Sequence, residues 1–96
     1  MELDLIHKKY RILVVGLGFR SGLSAANFLA AENHVVDVTD SKSHAELSEL
    51  ISKLDPSVTV HTGAQEPSLL DKGFDLLVLS PGVPVRIPLV QVALRR

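Results

Sequence analysis

A glycine-rich segment near the N-terminus is the part of the sequence best suited to bind a phosphate group. Gly16, Gly18 and Gly22 lie between an apolar run at residues 12–15 and a stretch whose apolar residues recur at helical spacing. Glycines let the chain turn tightly and bring backbone N–H groups close to a ligand. A helix that begins there adds unpaired N–H groups and the positive end of its dipole. The segment therefore predicts a phosphate or diphosphate site.

The spacing of these glycines differs from the G-x-G-x-x-G pattern of dinucleotide-binding turns. The third glycine, Gly22, comes one position late, and Ser21 occupies the expected position. Either Ser21 serves as the small residue or the turn carries one extra residue, and the sequence leaves both interpretations open. A tight strand-to-helix turn without a ligand is a further alternative.

An acidic residue, Asp40, ends the second predicted strand about 20 residues after Gly18, which is the spacing of the acid that binds a ribose in dinucleotide folds. Its carboxylate can accept hydrogen bonds from a sugar hydroxyl or a base N–H, or it can simply cap the following loop. Asp37 is a competitor, but it lies inside the strand and further from the crevice at the carboxyl ends of the strands. We therefore favour Asp40, which Ser41 and Lys42 follow.

The segment Ser80-Pro81-Gly82 follows the fourth predicted strand. In a sheet of order 3-2-1-4 the loops after the first and fourth strands face each other where the strand order reverses. Gly82 would let the backbone approach a ligand there, and the Ser80 hydroxyl can donate a hydrogen bond. The alternative is a Pro-Gly turn in a linker.

Short β-prone runs alternate with helical patterns along the whole chain. Ser43 and Glu46 form a capping-box pattern before the second helix. Helical crossovers between buried strands predict one Rossmann-like α/β domain over residues 1–96, with an open parallel sheet of order 3-2-1-4 and helices on both faces. The final helix would normally lead into another strand, so we expect truncation before a last strand; a complete four-stranded domain is the alternative. The predicted strands are 12–15, 34–40, 58–61 and 74–79, and the predicted helices are 23–31, 45–54, 67–72 and 88 to the end.

Composition excludes several classes of function. A net charge of -1 and four aromatic residues argue against a nucleic-acid partner, and the absence of cysteine excludes disulfides and thiolate metal sites. No apolar run reaches the roughly 20 residues of a membrane span, and an acidic N-terminus is unlike a signal peptide, so we expect a cytoplasmic protein without a membrane partner.

No catalytic set and no ATP-binding phosphate loop are evident in the sequence. Four histidines lack metal-ligand spacing and are predicted to be edge or surface residues: His7, His34, His44 and His61.

Several segments, in the same order and at similar spacing, resemble the Mur ligases, and within that family the enzymes that add D-glutamate. The resemblance covers essentially the whole chain, and the Ser-Pro-Gly-Val-Pro run is its most specific part. The segments are Gly16-Leu17-Gly18, Ser21-Gly22-Leu23-Ser24, Val38-Thr39-Asp40, His61-Thr62-Gly63 and Leu79-Ser80-Pro81-Gly82-Val83-Pro84.

The resemblance implies a role in peptidoglycan synthesis, and so in cell-wall biogenesis, cell shape and cell division. Ligases of this family have three domains: the first binds the UDP part of the substrate, the second binds ATP and Mg²⁺, and the third receives the amino acid. The sequence resembles only the first. We therefore expect it to bind UDP-N-acetylmuramoyl-L-alanine, to hold no cofactor itself, and to be inactive without the rest of the ATP-dependent ligase.

The resemblance also implies roles for individual residues. Gly18, Phe19 and Ser21 match the turn that meets the diphosphate. Asp40 and Ser41 match the pair that recognises uracil, with Lys42 at a position for a basic contact. The turn is one residue longer than in the family pattern, so either Phe19 or Arg20 faces the ligand, and Arg20 is a hypothetical extra charge at the diphosphate. The full predicted set is Gly18, Phe19, Arg20, Ser21, Asp40, Ser41, Lys42, Ser80 and Gly82.

Two other functions fit parts of the pattern. The NAD(P)-binding domain of a dehydrogenase would use the same turn, with Asp40 on the ribose hydroxyls, but it does not explain the late third glycine or the Ser-Pro-Gly-Val-Pro run. A regulatory domain that senses a nucleotide without catalysis is the third possibility. An unpaired sheet edge would also favour self-association of the isolated chain.

Overall fold

A computed structural model describes residues 8–17, 20–63, 65, 67–81 and 83–95 of the chain. Strands and helices alternate as predicted. The elements are β1 (Arg11–Val15), α1 (Arg20–Ala31), β2 (Val35–Asp40), α2 (His44–Ser52), β3 (Thr59–Thr62), a 3₁₀ helix (Pro67–Lys72), β4 (Leu76–Leu79) and α3 (Pro88–Arg95).

The strands form one parallel sheet of order β3-β2-β1-β4, which confirms the predicted topology. Hydrogen bonds continue beyond the end of β1, because the N–H of Gly16 donates to the carbonyl of Thr39 (2.8 Å) and the N–H of Ser80 donates to the carbonyl of Val15 (3.0 Å). The carboxyl ends of β1, β2 and β4 therefore lie together at one edge of the molecule, where ligands bind in open α/β sheets.

Helices cover both faces of the sheet. Residues in a strand point alternately to opposite faces, so Ile12 and Val14 pack in one apolar cluster with residues of α1 and α2, while Leu13 and Val15 pack in a second cluster with Leu70 of the 3₁₀ helix and with α3. Burial on both sides explains why residues 12–15 of β1 form a continuous apolar run. The prediction of helices on both faces is confirmed.

The ends of the helices follow the predicted signals. The Ser43 hydroxyl accepts from the N–H of Glu46, and the Glu46 carboxylate accepts from the N–H of Ser43, which completes the capping box of α2. Asn33 (φ 68°) follows α1, and Gly73 (φ 80°) follows the 3₁₀ helix, both in the left-handed region that ends helices.

His34 departs from the prediction that the histidines are edge or surface residues. His34 is buried, 5% exposed, and its Nδ1 accepts a hydrogen bond from the N–H of Tyr10 at 3.0 Å, so the surface prediction was wrong for this residue. His61 lies on the edge strand β3 as predicted, but its Nε2 is 2.7 Å from a carboxylate oxygen of Asp37. His44 is exposed at the start of α2, and His7 lies outside the described residues.

None of the helices in the described part of the chain is long and apolar enough to cross a membrane. The described residues also include no cluster of three or more side chains that could hold a metal ion.

Candidate functional site

The turn after β1 depends on a glycine at its first position. Gly16 has φ 102°, a conformation that side chains other than glycine rarely adopt. A Cβ atom added to Gly16 would also lie 2.7 Å from Cγ2 of Val83 and 3.0 Å from Cβ of Ser80. The turn is therefore packed closely against the loop that follows β4.

Gly22 lies in the first turns of α1, against the same turn. A Cβ atom added to Gly22 would collide with the carbonyl oxygen of Gly16 and would lie 2.8 Å from the hydroxyl of Ser80. Close packing of helix on strand is the role of the third glycine in a dinucleotide turn. Of the two interpretations of the late glycine, the geometry favours the longer turn, with Gly22 in this role.

Part of the predicted phosphate-binding turn lies outside the described residues. Gly18 and Phe19 lie outside the described residues, as do the side chains of Arg20 and Ser21. The backbone of α1 begins at Arg20, so the helix starts directly after the turn, and its first turn contains no acidic residue. No carboxylate in the first turn of α1 itself therefore offsets the positive end of the helix dipole, which suits an anionic ligand.

Ser80 joins the loop after β4 to the turn after β1. Its side chain is nearly buried, 4% exposed, and its hydroxyl donates a hydrogen bond of 2.7 Å to the carbonyl of Gly16. The expectation that these two loops face each other is confirmed for Gly16 and Ser80. Gly82, the other predicted residue of this loop, lies outside the described residues.

Asp40 is the last residue of β2 and stands at the same edge of the sheet. Asp40 is 7% exposed, and its carboxylate accepts a hydrogen bond from the N–H of Lys42 at 2.9 Å. The carbonyl of Lys42 in turn accepts from the N–H of Gly63 at 3.2 Å, so the loop is fixed between the ends of β2 and β3. Asp40 does cap its loop, and its role toward a ligand stays a prediction.

Ser41 and Lys42 are exposed beside the buried carboxylate of Asp40. Their position at the carboxyl end of β2 agrees with the predicted location of the site. A cationic side chain at Lys42 can approach an anionic ligand from solvent, because the side chain is not enclosed by the fold.

Asp37, the competing acid, belongs to the interior of the sheet. It is 2% exposed, and its carboxylate lies 2.7 Å from Nε2 of His61 and 3.7 Å from a guanidinium nitrogen of Arg11. These partners hold it in the strand and away from the carboxyl-end loops. The preference for Asp40 over Asp37 as the site residue therefore agrees with their positions.

The sequence did not predict the hydrogen bond from the Ser80 hydroxyl to the Gly16 carbonyl. The sequence indicated that Ser80 can donate, but it gave no signal that a backbone carbonyl is the acceptor. The partners are 64 positions apart, and only the sheet order brings them together. Val83, which packs on Gly16, was missed for the same reason.

A parallel sheet of order 3-2-1-4, with a glycine turn leading from its first strand into α1, defines this chain as a Rossmann-like α/β domain. Comparison with known protein families makes the assignment more specific. The chain belongs to the family described as Mur ligase MurD-like, N-terminal domain, whose model matches residues 10–96.

Curated relatives agree with this assignment. The chain is 47% identical over 85 residues to the UDP-N-acetylmuramoylalanine–D-glutamate ligase of Koribacter versatilis, covering 86% of this chain and 18% of that protein. It is 35% identical over 94 residues to the enzyme of the same name from Listeria monocytogenes, covering 98% of this chain and 20% of that protein. It is 42% identical over 89 residues to the enzyme of the same name from Anaeromyxobacter dehalogenans, covering 93% of this chain and 19% of that protein. The chain thus spans about a fifth of the length of these relatives.

Proposed function

We propose that this chain is the N-terminal nucleotide-sugar-binding domain of an ATP-dependent ligase that joins D-glutamate to UDP-N-acetylmuramoyl-L-alanine in peptidoglycan synthesis. The observation that carries the proposal is the meeting of three loops at one edge of the sheet: the glycine turn, the loop of Asp40 and the loop of Ser80. The names of the relatives support the choice of substrate.

The glycine turn and the start of α1 bind the diphosphate in this proposal. Backbone N–H groups at a helix N-terminus suit a doubly charged ligand. Gly18, Phe19 and Ser21 supply the contacts that the family resemblance implies. Arg20, at the first position of α1, adds a positive charge near the phosphates.

The loop after β2 binds the uracil base. The hydrogen bond from the N–H of Lys42 holds one oxygen of the Asp40 carboxylate in place. A carboxylate oriented in advance loses less conformational freedom when it accepts a base N–H, which favours binding. Ser41 contributes a second polar contact, and Lys42 a basic one.

The loop of Ser80 and Gly82 closes the opposite side of the nucleotide-sugar. Catalysis belongs to the rest of the ligase, where ATP and Mg²⁺ activate the substrate carboxylate and D-glutamate attacks it. We infer that the ligase works in the cytoplasm and supports cell-wall biogenesis, cell shape and cell division. No nucleic acid or membrane is required as a partner.

The proposal is tested by titrating the ¹⁵N-labelled chain with UDP-N-acetylmuramoyl-L-alanine and, separately, with NAD. We expect the UDP-sugar to shift the amide signals around Gly18, Asp40 and Ser80, and NAD to shift none of them at comparable concentration. A response to NAD alone would overturn the proposal in favour of a dehydrogenase domain.

A pair of variants makes the test residue-specific. D40N keeps the shape of the side chain and removes its charge, so we expect the Kd for the UDP-sugar to rise about tenfold, the cost of weakening one charge-assisted hydrogen bond. E49Q removes an exposed carboxylate in the second half of α2 and is expected to leave the Kd unchanged. Equal affinities for both variants would remove Asp40 from the proposed site.

A further inference from the structure

The hydroxyl of Ser80 has no proton left to offer a ligand. A serine hydroxyl carries one hydrogen, and that hydrogen is directed to the carbonyl of Gly16 at 2.7 Å in a nearly buried position. A direct hydrogen bond from Ser80 to a nucleotide-sugar would first require this bond to break. The geometry therefore argues for an indirect role.

The acceptor of this bond controls the orientation of the glycine turn. The peptide unit is planar and trans, so the carbonyl of Gly16 and the N–H of Leu17 point in opposite directions. Fixing the carbonyl therefore also fixes the N–H of Leu17, at the start of the turn that leads into α1. The Gly16 N–H is already bound to the carbonyl of Thr39 at 2.8 Å, so the turn is held on both of its sides.

The same hydroxyl lies where three elements meet. It belongs to the loop after β4, it bonds to the turn after β1, and it lies 2.8 Å from the position that a Cβ atom of Gly22 in α1 would occupy. If the hydroxyl were lost, the Gly16 carbonyl would lose this donor, and the loss of a partner is costly for a buried carbonyl. Rotation of the Gly16–Leu17 peptide toward water would replace the lost donor with a water molecule.

We propose that Ser80 is a positioning residue that fixes the glycine turn in the orientation needed to bind a diphosphate, through its hydrogen bond to the Gly16 carbonyl. The inference rests on the proposed function, because it assigns the diphosphate to the turn. This role predicts a selective effect on binding. Binding of the diphosphate part of the ligand depends on Ser80, whereas binding of the base at Asp40 does not.

The test compares binding of UDP and of uridine, which lacks the phosphates, to the wild-type chain and to S80A. We expect the Kd for UDP to rise about five- to tenfold in S80A, while the response of the Asp40 loop to uridine stays within about twofold of wild type. In the absence of ligand, S80A is expected to shift the carbonyl ¹³C signal of Gly16 and the amide signal of Leu17.

S52A is the matched control. The Ser52 hydroxyl also donates to a backbone carbonyl, that of Glu49, at 2.6 Å, but it lies at the exposed end of α2. We expect S52A to bind UDP like wild type, so a loss in S80A alone would reflect the position of the serine and not the removal of any serine hydroxyl.

Each outcome bears on one proposal or the other. If the wild-type chain does not respond to UDP, the proposed function fails and the role of Ser80 fails with it. If the wild type binds UDP and S80A binds it equally well, only the role of Ser80 is overturned. If S80A bound UDP and uridine equally more weakly than the wild type, the substitution would have damaged the fold in general, and the positioning role of Ser80 would also be overturned. Should S80A not fold, a Ser80 hydroxyl proton that exchanges rapidly with water in the wild type would argue against the bond.

Discussion

The packing of α1 against the turn after β1 depends on the absence of a side chain at Gly22. In an exposed helix, replacing glycine by alanine stabilises by about 0.5–1 kcal/mol. Here the added Cβ atom would collide with the Gly16 carbonyl, and overpacking typically costs about 1–3 kcal/mol. We expect the cost of the collision to exceed the gain in helix stability, so G22A should lower the free energy of unfolding measured in urea.

Ser24 offers the control for this prediction, since it is exposed on the same helix. S24A gains helix propensity without a collision and should change the free energy of unfolding by no more than about 0.5 kcal/mol. If G22A proved as stable as S24A, the close approach of α1 to the turn would be contradicted.

For individual residues, the sequence predicted a glycine at the turn after β1, the position of Asp40 at the end of β2, and the approach of the loops that follow β1 and β4. It did not predict the burial of His34 or the partner of Asp37. His34 is bound by Tyr10, and Asp37 lies against His61; each pair is 24 positions apart in the chain. Hydrophobic spacing reports which face a residue occupies, but not which polar group lies opposite it in the folded sheet.

Asn27 connects the two helices on one face of the sheet. Its side-chain amide donates to the carbonyl of Lys53 at 2.9 Å, and its side-chain oxygen accepts from the N–H of Asp55 at 2.8 Å. These bonds fix the C-terminal end of α2, where Lys53 is the capping residue. We expect N27A to lower the free energy of unfolding by about 1–2 kcal/mol, because both bonds are lost.

K53A separates the backbone contact from the side chain of the same residue. The Asn27 amide binds the backbone carbonyl of Lys53, which the substitution keeps. Only an exposed ion pair with Glu49, at 3.8 Å, is removed, and such pairs contribute little. We expect the free energy of unfolding of K53A to remain within about 0.5 kcal/mol of wild type. A loss as large as that of N27A would show that Asn27 does not stabilise α2 through the backbone carbonyl of Lys53.

The order and type of the elements could be predicted, and their boundaries less well. The capping signals identified the N-cap of α2 correctly as Ser43, because Ser43 and Glu46 act through local hydrogen bonds, although the predicted helix began at residue 45 and α2 begins at His44. The predicted fourth strand began at Phe74, whereas β4 begins at Leu76. Before it, the Asp75 carboxylate accepts from the N–H of Arg11 at 2.8 Å, and the Phe74 ring lies 5.0 Å from the Arg11 guanidinium carbon. These contacts join residues more than 60 positions apart and so leave no local signal in the sequence.

The molecule as a whole has one sheet edge that suits association. In the part of the chain that the structure describes, β4 is an edge strand of four apolar residues, next to a groove of about 410 Å³. The groove runs between β4 and α3, where Leu94 is 71% exposed. Strands of parallel sheets are normally covered on both faces, and an exposed apolar edge favours pairing with another chain.

We therefore expect this chain to self-associate through β4 and the groove as its concentration rises, with dimers detected by sedimentation velocity. L94K places a charge in the groove and should shift the chain to the monomer. V85K alters another exposed apolar residue, 57% exposed and outside the groove lining, and should associate like wild type. A wild-type chain that sediments as a monomer at its highest soluble concentration would contradict the prediction, and equal loss of association in both variants would locate the contact elsewhere.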